Sequence, residues 1–238
     1  MDKLVCPWRC FQVRNGVKQA LVVMAKEPVP GNVKTRLCPP LTYEMAAELY
    51  RCFLLDSFDQ YVKLDKTLVI VSFFPPEWKQ GLRAMAPKDF RLIPQSGDDL
   101  GERLINAFAY AFSIGNKSVS IVGTDHPTMP IDYIKQSFSL MSNDENDLVL
   151  GPSTDGGYYL IGLKKLHKEV FKGIAWSTEM VFEETVDRAE RLNLKVATLP
   201  QWYDVDTPED LARLESMINV SDNRLYGARR TVEFLSGK

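Results

Sequence analysis

Short apolar runs rich in β-branched residues recur along this chain, and helical periodicity fills the stretches between them. Ala20–Lys26, which contains Leu21-Val22-Val23-Met24, Thr67–Phe73 and Ser118–Gly123 read as strands buried on both faces. Phe90–Pro94, Asp147–Gly151, Tyr158–Leu163 and Lys195–Leu199 read as further strands. Thr42 stands as an N-cap before Met45, Ala46, Leu49, Tyr50, Phe53, Leu54 and Phe58 at helical spacing, an apolar face suited to a core. Helices are also expected over Glu77–Met85, Leu100–Phe112, Ile131–Met141, Val170-Phe171, Thr178–Leu192 and Arg229–Leu235. Pro208, followed by Glu209 and Asp210, marks one more helix start. This alternation calls for a mostly parallel sheet covered on both faces. The link from Leu150 to Tyr159 has no room for a crossover helix, so one of the strands it joins runs antiparallel. The expectation is one α/β domain spanning residues 1–238, with a mixed sheet. Ahead of it, Cys10–Arg14 reads as an edge strand and Asn15-Gly16 as a turn.

Composition narrows the function classes. A formal charge of −2 argues against a general nucleic-acid binder. No apolar run reaches the roughly 20 residues of a membrane span. The first nineteen residues lack the apolar centre of a signal peptide, so a cytoplasmic protein is expected. Cys6, Cys10, Cys38 and Cys52 match no zinc spacing and read as reduced packing groups.

Chemistry-bearing residues gather where the strands end, which is where a doubly wound sheet binds ligands. After the first strand, Pro28, Pro30 and Gly31 forbid regular structure, and the loop then delivers Lys34, Thr35 and Arg36. Two cations, a hydroxyl and loop N–H groups suit polyphosphate, although an ordinary solvated loop reads the same way. The third strand is followed by Gly97, Asp98, Glu102 and Arg103, and the fourth by Asp125. Asp155-Gly156-Gly157 follows the fifth, and Asp204 and Asp206 lie in the loop Gln201–Thr207. Carboxylates and phosphate oxygens together suit Mg²⁺ or Mn²⁺. Each piece has a plainer reading. Asp125 could close a turn, Asp155-Gly156-Gly157 could be a hairpin turn, and Asp206 or Thr207 could cap the Pro208 helix. Trp176-Ser177-Thr178 could be a packed aromatic beside an N-cap. The sequence has no GxSxG elbow, GxGxxG loop, Walker lysine pattern or HExxH.

The segments PGNVKTRL, GDDLGERL, IVGTDHP, VLGPSTDGGYYLIGL, IAWSTEMVFEET and DVDTPEDL, in this order, resemble a bacterial family of glycosyltransferases named by similarity, with the GT-A fold. That family is similar to the molybdenum-cofactor and phospholactate guanylyltransferases and to other nucleotide-diphospho-sugar transferases. The resemblance runs from about Ala20 to Leu214. It implies a GT-A or Rossmann-like three-layer α/β/α sandwich, with a nucleotide-binding half over about residues 20–127 and an acceptor half over about 128–218.

By that resemblance Lys26, Gly31, Lys34, Thr35, Arg36, Gly97, Asp98 and Arg103 would bind nucleotide and phosphate. Asp125, Asp204 and Asp206 would hold Mg²⁺ or Mn²⁺, with Asp125 and Asp155 in catalysis. Gly156, Gly157, Tyr158, Trp176, Ser177 and Thr178 would face the acceptor. Where GT-A enzymes carry Asp-x-Asp, this chain has Gly123 two residues before Asp125. The implied reaction is glycosyl transfer from a nucleotide-diphospho-sugar to an unspecified acceptor. Nucleotidyl transfer from an NTP to a phosphorylated acceptor, and nucleotide binding without catalysis, stand as alternatives.

Overall fold

The computed structural model describes residues 19–142, 145–220 and 227–237. The expected strand Cys10–Arg14 and its turn lie outside them. One sheet holds β1 (Gln19–Lys26), β2 (Thr67–Phe74), β3 (Arg91–Pro94), β4 (Ser118–Val122), β5 (Leu148–Pro152), β6 (Tyr158–Leu163) and β7 (Val196–Thr198), in the order β3-β2-β1-β4-β6-β5-β7. β1 pairs in parallel with β2 on one side and β4 on the other. β6 is the inverted strand, antiparallel to both β4 and β5. The strand order therefore reverses between β1 and β4, and that reversal opens a crevice at their carboxyl ends.

The helices are α1 (Tyr43–Tyr61), α2 (Lys79–Met85), α3 (Leu100–Ser113), α4 (Ile131–Ser142), α5 (Val181–Arg191), α6 (Pro208–Val220) and α7 (Arg229–Leu235). Successive side chains of a strand point to opposite faces. Leu21, Val23 and Ala25 accordingly join one core with Leu49 and Phe53 of α1, Leu82 of α2, Ile134 of α4 and Leu214 of α6. Ala20 and Val22 join a second core with Leu104 and Phe108 of α3 and Ala189 of α5. The result is a three-layer α/β/α sandwich around a mixed, mostly parallel sheet.

Three expected helices differ in the structure. A 3₁₀ turn, Pro76–Trp78, precedes α2, and Val170-Phe171 sits in another, Lys168–Phe171. α5 begins at Val181 rather than Thr178. The Thr178 hydroxyl donates to Ala175 O and accepts from Met180 N, which makes a turn there and leaves Ser177 in the left-handed region at φ 68°. At the far end of the chain, Asp56 of α1 accepts from Arg230 N, Thr231 N and Thr231 Oγ1, and so caps and docks α7.

Candidate active site

A cavity of about 520 Å³ opens at the carboxyl ends of β1 and β4. It brings together Lys26, Lys34, Thr35, Arg36, Arg103, Asp125, Tyr158, Ser177 and Asp206 from the sequence-predicted set. Gly31, Gly97, Asp98, Asp155, Gly156, Gly157, Trp176, Thr178 and Asp204 are not among its lining residues.

Lys34 is the centre of the constellation. Its backbone is left-handed (φ 50°), a conformation that costs a non-glycine residue roughly 1–3 kcal/mol and that concentrates at functional sites. The side chain is 4% exposed and runs beneath the loop, with its ammonium 6.0 Å from the Tyr50 ring centre and 5.8 Å from that of Phe53. The ammonium pairs with Asp125 Oδ1 and donates to Asp206 Oδ1 at 2.8 Å. Burial alone would lower its pKa, but the two carboxylates outweigh burial and hold it above its ordinary value. Arg36, 67% exposed, donates to the other oxygen, Asp206 Oδ2, at 2.7 Å. Burial would raise the Asp206 pKa, yet Lys34 and Arg36 keep it below the usual range.

The loop that carries Asp206 is pinned from both ends. Val205 N donates to the Asp125 carbonyl at 2.8 Å. Thr207 Oγ1 accepts from Asp210 N, while Asp210 Oδ2 accepts from Thr207 N and Thr207 Oγ1. Thr207 is thus the cap of α6, and the Asp206 side chain goes to Lys34 and Arg36 instead. Asp204 points elsewhere and accepts from Ser153 Oγ at 2.9 Å. Burial first, and then the charges of Asp125 and Asp155, push its carboxyl up to about 7.

Residues outside the lining shape it from behind. Asp155 accepts from Gly157 N in the turn between β5 and β6. Gly156 packs so closely on α5's entry that an added Cβ would lie 2.0 Å from Glu179 O, so only glycine fits. Trp176 lies against Gly101 in the first turn of α3, which leaves Ser177 as the member of its triplet that reaches the cavity. Glu102 is spent on α3's start: its carboxylate accepts from Asp98 N while its own N donates to Asp99 Oδ1. Gly97, at φ 125°, lets that loop close on Glu102, and its carbonyl accepts from Arg103 Nε at 3.1 Å.

Among the lining residues that sequence reasoning missed are Gln95, Tyr50 and Thr124. Gln95 follows Pro94 in a stretch read as loop, and only its neighbours Gly97 and Asp98 drew attention. Its Nε2 donates to Ser72 O and Ala25 O, so it clasps β1 and β2. Tyr50 sits in an apolar helical stripe that reads as core, and its ring is indeed buried. Its hydroxyl, however, accepts from Lys26 N and is hydrogen bonded to Thr124 Oγ1, tying β1 to the end of β4 under Lys34. Thr124 lay visible in Gly123-Thr124-Asp125-His126, overshadowed by Asp125. His126 packs against Tyr159, and its burial pushes the imidazole down to about 4, so it is neutral near pH 7.

The donor set bears on a divalent cation. Among the described residues, no three His, Cys, Asp or Glu side chains form a ready ligand cluster. Both oxygens of Asp206 are engaged by cations, while Asp125 is 42% exposed on the cavity wall with Oδ2 outside the Lys34 pair. One accessible carboxylate fits Mg²⁺ or Mn²⁺ when substrate phosphate supplies most of the remaining ligands.

This three-layer sandwich, with its crevice at the strand-order reversal, matches a nucleotide-diphospho-sugar transferase fold. A Desulfovibrio desulfuricans G20 protein described as a "putative nucleotide-diphospho-sugar transferase" has the same fold, with a TM-score of 0.85 and 31% identity over 92% of this chain and 96% of that one. Residues 57–178 match the family "Uncharacterized protein conserved in bacteria (DUF2064)", and the chain belongs to that family. A cytidylyltransferase from Leptospira borgpetersenii is similar in fold alone, at TM-score 0.53 and 12% identity over 93% of this chain and 94% of that one. So is the 4-diphosphocytidyl-2C-methyl-D-erythritol synthase of Anaerococcus prevotii, at TM-score 0.56 and 9% identity over 87% of this chain and 100% of that one. Among the described residues no helix is long and apolar enough to cross a membrane.

Proposed function

We propose that this protein is a metal-dependent transferase of nucleotide-activated substrates, and that it transfers a sugar from a nucleotide-diphospho-sugar. The observation that carries this is the grip of Lys34 and Arg36 on the two oxygens of Asp206 at the mouth of the crevice. Two cations spaced to hold two oxygens of one carboxylate are spaced to hold two oxygens of a diphosphate. In the transfer, the bond from the sugar's anomeric carbon to the diphosphate oxygen breaks as an acceptor oxygen attacks that carbon. Lys34 and Arg36 stabilise the charge left on the departing nucleoside diphosphate. A Mg²⁺ or Mn²⁺ ion held by Asp125 would supply further charge stabilisation there. The acceptor side comprises Tyr158 and Ser177 on the cavity wall with the turn Asp155-Gly156-Gly157 outside the lining, and Asp155 serves there as the base or as the residue that orients the sugar.

One observation favours nucleotidyl transfer as a second reading. Lys26, Lys34, Arg36 and Arg103 all line the cavity, against the carboxylates Asp125 and Asp206. Lys26, Lys34 and Arg36 suit the larger charge of a triphosphate, which leaves Arg103 for the base. A thermal-shift panel of NTPs and nucleotide-sugars with and without Mn²⁺ tests the shared premise. A true ligand at 100 times its dissociation constant adds about 2.7 kcal/mol of stability. Release of nucleoside diphosphate from a nucleotide-sugar then identifies glycosyl transfer, and release of pyrophosphate from an NTP identifies the alternative. A panel without any stabilising nucleotide overturns both.

A further inference from the structure

We propose that Gln95 and Arg103 read the nucleobase and select cytosine or guanine over uracil or adenine. This rests on the nucleotide reading above. The Gln95 amide has one available orientation. Its nitrogen donates to Ser72 O at 2.8 Å and to Ala25 O at 3.2 Å, and two carbonyls can be satisfied only by the NH₂ end. The backbone is fixed as well, since Gln95 N donates to Phe73 O at 2.8 Å and extends the β2–β3 pairing. Oε1 is therefore a fixed acceptor on a residue that lines the cavity.

Arg103 supplies the complementary donors. Its guanidinium lies over the Phe74 ring, 5.0 Å from the ring centre, and its Nε is used on Gly97 O. The two terminal nitrogens make no other hydrogen bond among the described residues, and they form a planar two-donor fork. Leu100 lines the same cavity, is left 44% exposed and is able to pack on the face of a base.

A single acceptor followed by a two-donor fork matches a base edge that reads donor, acceptor, acceptor. Cytosine presents this order as N4–H, N3 and O2. Guanine presents it as N1–H, O6 and N7, the last two being its usual bidentate site for arginine. Uracil reads acceptor, donor, acceptor through O4, N3–H and O2. Adenine reads the same way through N7, N6–H and N1. Neither gives a fork two adjacent acceptors beside the donor. Sites built to hydrogen-bond a substrate group discriminate strongly against ligands that leave their polar groups unmatched.

The test is calorimetric titration of the wild-type protein with CTP, GTP, UTP and ATP, each with Mg²⁺. The expected result is that CTP or GTP binds at least ten-fold tighter than both UTP and ATP. Gln95→Leu and Arg103→Lys should each reduce that preference to less than about three-fold, because one loses the acceptor and the other the fork. If Gln95→Leu does not fold, ligands replace the variant. A 2-pyrimidinone nucleotide without the N4 amino group should lose the advantage of CTP, whereas ITP, which keeps N1–H, O6 and N7, should retain the advantage of GTP. Tightest binding of UTP or ATP, or a preference untouched in the folded variants, overturns the proposal while leaving the nucleotide reading intact. Failure of all four nucleotides to bind overturns both.

Discussion

Replacing Lys34 by methionine removes a buried cation and keeps most of its volume. The ammonium is 4% exposed and is shared by Asp125 and Asp206, so the substitution leaves two carboxylates facing one another across the gap. Breaking a buried pair from one side costs roughly 3–5 kcal/mol. Asp206 keeps Arg36, and Asp125 is 42% exposed, so water and the second cation absorb part of that cost. The expected loss is about 2–3 kcal/mol, a fall in Tm of about 4–12 °C for a chain of this size. Urea unfolding with a common m-value measures it. Adding Asp206→Asn to Lys34→Met should recover part of the loss, because one uncompensated charge disappears. A single variant that loses less than about 1 kcal/mol, or a double variant no more stable than Lys34→Met alone, would refute the picture of Lys34 as the electrostatic keystone.

Arg36→Ala should behave oppositely: its exposed pair with Asp206 is worth at most about 1 kcal/mol to folding, whereas loss of a charge-assisted phosphate contact should weaken nucleotide binding by about 1.5–3 kcal/mol, as calorimetry would show. Asp125→Asn keeps the shape of the site and should lower Mn²⁺ affinity of the nucleotide-saturated protein at least ten-fold; equal affinity in the two proteins would place the ion elsewhere. Asp56→Ala strands buried donors at Arg230 N, Thr231 N and Thr231 Oγ1, so it should cost about 3 kcal/mol and release α7 to rapid amide exchange.

Hydrophobic patterning made most of the fold legible. β1, β2 and β4 are covered on both faces, so away from their ends their sequences are apolar apart from the buried Ser72 and Ser120, and the short connection before Tyr158 demanded one inverted strand. Helix starts were harder where local hydrogen bonds compete, as at Thr178, whose hydroxyl closes a turn that a helical reading overlooks. The charged members of the site were visible because cations and carboxylates at strand ends have few other uses. Their partners were not, since nothing local links Lys34 to Asp206 across 172 positions. Gln95 and Tyr50 escaped for a related reason. An amide after a proline and a tyrosine in an apolar stripe gain meaning only from the carbonyls and N–H groups that the sheet brings to them.

That span of 172 positions also has a meaning in time. Synthesis delivers the loop that carries Lys34 right after β1 and the stretch around Asp206 only after β7, and domains organise as the chain emerges. Neither Lys34 nor Asp206 falls within residues 57–178, the segment that carries the family signature. A nascent chain halted just beyond that segment holds six of the sheet's seven strands, with the Lys34 ammonium still lacking its partner from the last loop. The arrival of Asp206 closes the clasp, so the crevice is finished only after all seven described strands of the sheet have been made.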